Sequence, residues 1–277
     1  MFVLKNIFLL LLVIGLSGCN TFSGVLDEKK DKYEGWSVEK FYTEAKDASK
    51  SENYEKAIRL YEILESRYPF GSYAAQAQLD VAYAYYKYDE PESAIAAADR
   101  FIKIHPLNPH VDYAYYLKGL VNYNRGIGFL ERFFPTDSSQ RDPGSARDAL
   151  QDFSLLRQKF PDSRYHEDSG QRIIALKNNL AMYEIHVARY YMKRKAYVAV
   201  VDRGNYVIEN YPRTQAIPLA LELMRKAYNK MGLTNLTAGV VRVYDYNYAE
   251  GIPYSDEINQ RDTTLAEDIW EFIGLDE

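Results

Sequence analysis

The chain has 277 residues, 47% of them hydrophobic and 26% charged, with a formal charge of −5 and a single cysteine. That charge argues against a non-specific nucleic-acid binder, which needs a basic face. One cysteine permits no internal disulfide and no multi-thiolate metal site, so stability has to come from packing.

The chain opens with one positive charge, Lys5, then the apolar run "IFLLLLVIGL" from Ile7 to Leu16, then small residues. This is the layout of a secretory signal peptide. The apolar run is about half the ~20 residues that a spanning helix needs. "Leu16-Ser17-Gly18-Cys19" resembles the bacterial lipobox. The resemblance implies a diacylglycerol on the Cys19 thiol and cleavage that leaves Cys19 as the acylated first residue. A buried or free thiol in an uncleaved helix is the alternative. Asn20 follows, where an Asp resembles the inner-membrane retention signal of enteric bacteria, so the expected destination is the outer membrane. The expected divisions are a signal peptide at 1–18, a lipidated linker at 19–36 and a soluble, tethered body at 37–250.

The body contains many tyrosines, 26 in the whole chain against 12 Phe and 2 Trp. Tyrosine packs its ring while its hydroxyl stays wet, which suits an elongated fold with thin cores. Ala, Leu, Glu, Lys and Arg are abundant and favour helix. Four segments end alike: "LESRYPFGSYA" (64–74), "FIKIHPLNPHV" (101–111), "LRQKFPDSRYH" (156–166) and "VIENYPRTQAI" (207–217). Each is an amphipathic run, then an aromatic or His, then Pro69, Pro106, Pro161 or Pro212. Proline cannot continue a helix and expels its predecessor from helical geometry, so these are four helix stops.

The prolines are spaced by 37, 55 and 51 residues. The first spacing is close to the ~34-residue period of tetratricopeptide repeats, each a helix hairpin with small residues where its helices cross. Counting back from each proline puts Ala45, Ala57, Ala82, Ala94, Gly119, Ala149 and Ala188 at small positions. Tyr54, Tyr61, Tyr85, Phe153, Tyr191 and Tyr197 fall at large or aromatic ones. A fifth, degenerate unit carries Tyr228 and Gly232 in register without a final proline. The expected fold is all-α, an α-solenoid of about five such hairpins. The long intervals are read as an insertion at 124–143 inside the third hairpin and one long helix between Tyr165 and Lys193. The apolar cluster Phe129, Leu130, Phe133 and Phe134 suggests that the insertion folds back on the solenoid or meets a partner. After Gly251 comes an acidic tail (251–277) in which "LAEDIWEFIGL" (265–275) reads as a short amphipathic helix.

Catalytic patterns do not emerge. His105, His110, His166 and His186 lack ligand spacing, so no metal and no cofactor are expected. His105 and His110 flank Pro106, where a cap or helix-end charge is ordinary. There is no phosphate-binding loop and no nucleophile elbow. Carboxylates read as scattered over solvent faces. The chain is therefore not read as an enzyme.

The strings "RYPFGSYAAQAQLDVAYAYYK" (67–87), "RDPGSARDALQDFSLL" (141–156) and "AYVAVVDR" (196–203), with the lipobox and the repeats, resemble the BamD family. These are lipoprotein subunits of the β-barrel assembly machinery of Gram-negative outer membranes. The resemblance implies a non-catalytic scaffold on the periplasmic face of the outer membrane, among other assembly lipoproteins. It implies that the C-terminal repeats hold the POTRA domains of a BamA-like barrel subunit. The N-terminal repeats would receive unfolded outer-membrane protein precursors. "RYPFG" makes Tyr68 and Phe70 candidate substrate-groove contacts, with local turn packing as the alternative. Arg203 matches the family arginine that pairs with the POTRA region, with a surface salt bridge as the alternative. "Arg141-Asp142-Pro143" is read first as the start of a helix. A tetratricopeptide lipoprotein serving pilus or cell-wall assembly is the second functional reading, and a lipoprotein enzyme with accessory repeats the third.

Overall fold

A computed structural model of the chain describes residues 32–125, 139 and 142–249. The expectations for the signal peptide, Cys19, most of the insertion, Arg141 and the acidic tail lie outside the described residues. Those residues form ten α-helices and no strand: α1 Val38–Lys50, α2 Tyr54–Arg67, α3 Ser72–Lys87, α4 Pro91–Ile104, α5 Val111–Asn124, α6 Gly144–Lys159, α7 His166–Lys193, α8 Tyr197–Asn210, α9 Ala216–Lys230 and α10 Thr234–Tyr248. Each helix packs on the next, giving hairpins α1/α2, α3/α4, α5/α6, α7/α8 and α9/α10. First helices also meet across hairpins, α1 with α3, α3 with α5 and α7 with α9, which stacks the hairpins into an all-α solenoid.

Four of the hairpin turns use one device. The first helix runs into a left-handed residue two positions past its end: Glu52 (φ 61°), Asp89 (φ 64°), Lys195 (φ 59°) and Gly232 (φ 74°). The next amide returns five residues to a helix carbonyl, Asn53 to Ala48, Glu90 to Tyr85, Ala196 to Tyr191 and Leu233 to Tyr228, at 2.9–3.0 Å. These are Schellman closures, which satisfy carbonyls that the helix end leaves free. After α5, Arg125 is extended (φ −63°, ψ 130°), and the insertion lies between it and α6.

The helix stops match the proline positions. α2, α4, α6 and α8 end two residues before Pro69, Pro106, Pro161 and Pro212. The residue between is Tyr68, His105, Phe160 or Tyr211, with φ between −130° and −123° and ψ between 52° and 68°. Its amide still bonds the carbonyl four residues back, at 2.7–2.9 Å. The following ring forbids it the helical ψ, so the chain turns there.

Small residues occupy the crossings. Ala45, Ala57, Ala82, Ala94, Ala149 and Ala188 are buried, with Tyr61 and Phe153 among them. A Cβ on Gly119 would stand 2.5 Å from Phe153 Cε1, so α5 and α6 meet at van der Waals limit through the missing methyl. Between Tyr165 and Arg194 there is one helix, α7, of 28 residues or about 42 Å. Gly170 does not break it; Arg157 fills the space that a Cβ there would enter. Pro143 sits at the N-cap of α6, just before the helix, and its carbonyl accepts from the Arg147 amide at 3.0 Å. Within the insertion, Ser139 is buried and its Oγ lies 3.0 Å from His186 Nε2 on α7. At that point the insertion does return to the solenoid.

One expectation needs correction. Carboxylates are not confined to solvent faces: the Asp152 residue is 6% exposed and the Glu184 residue 1%. Each is compensated, Asp152 by Lys118 Nζ at 3.3 Å and Asn122 Nδ2 at 2.9 Å. A buried carboxylate without such partners would be prohibitively costly.

Candidate functional site

The two aromatics of "RYPFG" behave oppositely. Tyr68 caps α2, and its hydroxyl donates to the Trp36 carbonyl at 2.9 Å. Its ring joins Phe41, Trp36 and Tyr33, with Phe41 5.2 Å from Trp36 and 6.3 Å from Tyr68. Arg67 lies over Phe41 and donates to the Tyr33 carbonyl at 3.0 Å. Tyr68 thus pins residues 33–36 onto the first hairpin. Phe70, two residues on, is 90% exposed. Leu107 takes the same place after Pro106 and is 95% exposed. The first two proline turns therefore present one bare apolar side chain each, whereas Asp162 and Arg213 take that place in the other two.

A group of tyrosines, half-buried except for the buried Tyr61, lies on and between the helices of the first hairpins, a feature that composition hinted at but no motif located. Tyr42 on α1 and Tyr61 on α2 both donate to Asp80 Oδ2 on α3, at 3.0 and 3.4 Å, while Gln76 donates to Oδ1 at 2.7 Å. Burial raises the Asp80 carboxyl above its usual range, against the lowering effect of these donors. The same burial, with Asp80 beside them, pushes both phenols up. The group continues through Tyr73, 5.0 Å from Tyr42, to Tyr113 on α5, 5.6 Å from Tyr165. Tyr116 stacks on Tyr165 at 4.4 Å and donates to Asp168 at 2.7 Å. Burial and the Asp168 bond raise the Tyr116 phenol to about 12. These hydroxyls stay protonated at neutral pH, but their protons are already given to Asp80 and Asp168, so what the group offers is aromatic faces and hydroxyl oxygens that accept. Such a surface suits an extended peptide with apolar side chains and free N–H groups.

Toward the other end, Arg203 on α8 donates to Glu184 on α7 at 3.0 Å, and Arg147 on α6 approaches the same carboxylate at 3.5 Å. The Arg203 side chain remains 42% exposed. The predicted surface salt bridge is present, but its acid is buried, and the arginine is held in a fixed direction while it faces outward.

Among the described residues no group of three or more His, Cys, Asp or Glu side chains is placed to hold a metal ion. Nor, among them, is any helix long and apolar enough to cross a membrane. The histidines have local work: His105 caps α4 and pairs with Gln78 at 2.9 Å, and His110 precedes α5.

Residues 35–241 match the family model described as outer membrane lipoprotein, YfiO. A protein of Neisseria meningitidis serogroup A named outer membrane protein assembly factor BamD is 45% identical over 85% of this chain and 88% of its own length. Relatives of the same name from Vibrio cholerae and Haemophilus influenzae are 39% and 34% identical, over 70% and 88% of this chain and 80% and 90% of theirs. The crystal structure of MamA protein covers 82% of this chain and 97% of its own at 14% identity and a TM-score of 0.31, too distant to bear on fold or function. On the family model and these relatives, the chain belongs to the outer membrane lipoprotein family, as an outer membrane protein assembly factor of the BamD type.

Proposed function

We propose that the chain is a non-catalytic scaffold, anchored by an acylated Cys19 on the periplasmic face of the outer membrane. Its C-terminal hairpins hold the POTRA region of a barrel subunit through Arg203. Its N-terminal hairpins receive unfolded barrel precursors along the tyrosine group and the edge marked by Phe70. The observation that carries the reading is the likeness to assembly factors along nearly their whole length, 88% of the Neisseria protein. Two features of the surface support it. Arg203 is oriented by a buried acid yet open to solvent, the state in which an arginine makes a strong, low-entropy interface contact. Phe70 is a bare aromatic on the turn that leads into α3, and α3 carries Tyr73 of the tyrosine group.

Site-specific photo-crosslinking in cells tests both halves. A crosslinker at Arg203 is expected to trap the periplasmic region of an outer-membrane barrel protein, and one at Phe70 to trap precursors in transit. Adducts only with pilus or cell-wall assembly factors would replace this reading with that of a scaffold for those assemblies.

A further inference from the structure

Among the described residues, α10 ends the solenoid with an exposed face. None of the residues of α10 is buried, although the helix carries Leu236 (49% exposed), Val243 (48%) and Tyr246 (89%). With Leu221, Met224 and Tyr228 of α9 they border a groove of about 820 Å³. Inside the stack, a following hairpin would cover this face. At the end of a solenoid such a face is normally polar, because only a polar cap keeps it soluble. A contiguous apolar surface here implies a cover.

We infer that the cover is residues 265–275 of this chain, docked as an amphipathic helix in the α9/α10 groove. The pattern fits: Leu265, Ile269, Phe272 and Ile273 recur at i, i+4, i+7 and i+8, one helical face, with Trp270 and Asp268 on its two flanks and Glu267 and Glu271 opposite. Thr264 followed three residues later by Glu267 is a capping box, which marks a helix start. The charge fits as well. Residues 251–277 hold eight carboxylates against one arginine, a charge of −7, while the whole chain carries −5. The body they return to is therefore net positive, and Arg242 lines the groove. The reach fits too. Residues 249–264 are a 16-residue connection, which as a coil spans about 22 Å. That equals the length of the 15-residue α10, also about 22 Å. Covalent attachment places the segment at an effective concentration in the millimolar range, so even a weak contact is populated.

The two tryptophans, Trp36 and Trp270, supply the test. In the full chain with Trp36→Phe, Trp270 is the sole reporter. The expected result is blue-shifted emission and acrylamide quenching several-fold weaker than for a free indole, independent of protein concentration. Val243→Glu on the groove side and Ile269→Asp on the segment side should each return Trp270 to the emission and quenching of an exposed residue. Exposed Trp270 in the unsubstituted chain would overturn the inference. So would protection that survives both substitutions, as burial in a detergent micelle would. Protection that appears only as concentration rises would assign the groove to a second copy, and protection that requires an added partner would assign it to that partner; both contradict the inference.

Discussion

Arg203 reaches from α8 to the Glu184 carboxylate on α7, 3.0 Å away, and the Glu184 side chain is 1% exposed. One arginine thus compensates a buried acid and faces solvent at the same time. Arg203→Ala would leave Glu184 with Arg147 alone, 3.5 Å away. We expect a loss of about 1–3 kcal/mol in denaturant unfolding, the range for stranding a buried charged acceptor. Arg203→Glu should cost more, because it sets a second carboxylate beside the first. Adding Glu184→Gln should recover most of the Arg203→Ala loss. This double variant separates a binding defect from a folding defect, since it keeps the fold without the outward arginine.

The α5/α6 crossing gives a second expectation. Gly119→Ala drives a methyl to 2.5 Å from a rigid ring, Phe153, whereas Gly204→Ala meets the flexible Met224 side chain, also at 2.5 Å. Overpacking of about 1–3 kcal/mol is expected for Gly119→Ala, and clearly less for Gly204→Ala because methionine can rotate away. Equal losses in thermal unfolding would contradict this account of the crossings.

The hairpin turns provide a third. Asp89 and Lys195 hold φ near 60° without being glycine. A left-handed backbone costs an ordinary residue roughly 1–2 kcal/mol, and glycine gives part of that back through its freer unfolded chain. Asp89→Gly and Lys195→Gly should therefore each stabilise by about 0.5–1 kcal/mol. Gly232→Ala should destabilise by about 1 kcal/mol. Chemical denaturation of the three variants gives the signs directly.

The Asp80 site gives a pH dependence. Burial raises the Asp80 carboxyl in the fold, so the native chain binds this proton before the unfolded chain does. Between the raised value and the ordinary value of 3.8, stability from this group rises as pH falls. The difference in unfolding free energy between the parent and Asp80→Asn should show that rise on acidification from neutrality and level off below the ordinary carboxyl range. Asp80→Ala is expected to cost about 1–3 kcal/mol at neutral pH, since the Tyr42 and Tyr61 hydroxyls lose their acceptor.

Much of the solenoid was legible because its signals are local and steric. Proline ends a helix whatever surrounds it, so Pro69, Pro106, Pro161 and Pro212 mark four helix ends in any context. An alanine or glycine at a crossing, such as Ala45 or Gly119, answers a demand that recurs with the repeat. The single helix α7 followed from the absence of a breaker. The polar interior was not legible. Asp80, Asp152 and Glu184 look like surface acids in sequence, and only the fold brings Tyr42, Lys118 or Arg203 to them from residues 19 to 38 positions away. Likewise "RYPFG" could not say which of its aromatics packs. The proline turns the chain between them, so Tyr68 faces Trp36 and Phe70 faces solvent.

The membrane tether has its own test. Labelling cells with a fatty acid should tag the chain, and Cys19→Ala should abolish the tag and release the protein from outer-membrane fractions. Persistent labelling of Cys19→Ala would refute the acylation.

Co-purification at native abundance tests the central claim most directly. From detergent-solubilised outer membranes, the unsubstituted chain should be recovered with a barrel protein that carries periplasmic POTRA domains. Arg203→Ala with Glu184→Gln should lose that barrel protein while its unfolding remains near that of the parent. Recovery of the parent chain without any barrel protein, or with pilus or cell-wall factors in its place, would contradict the account.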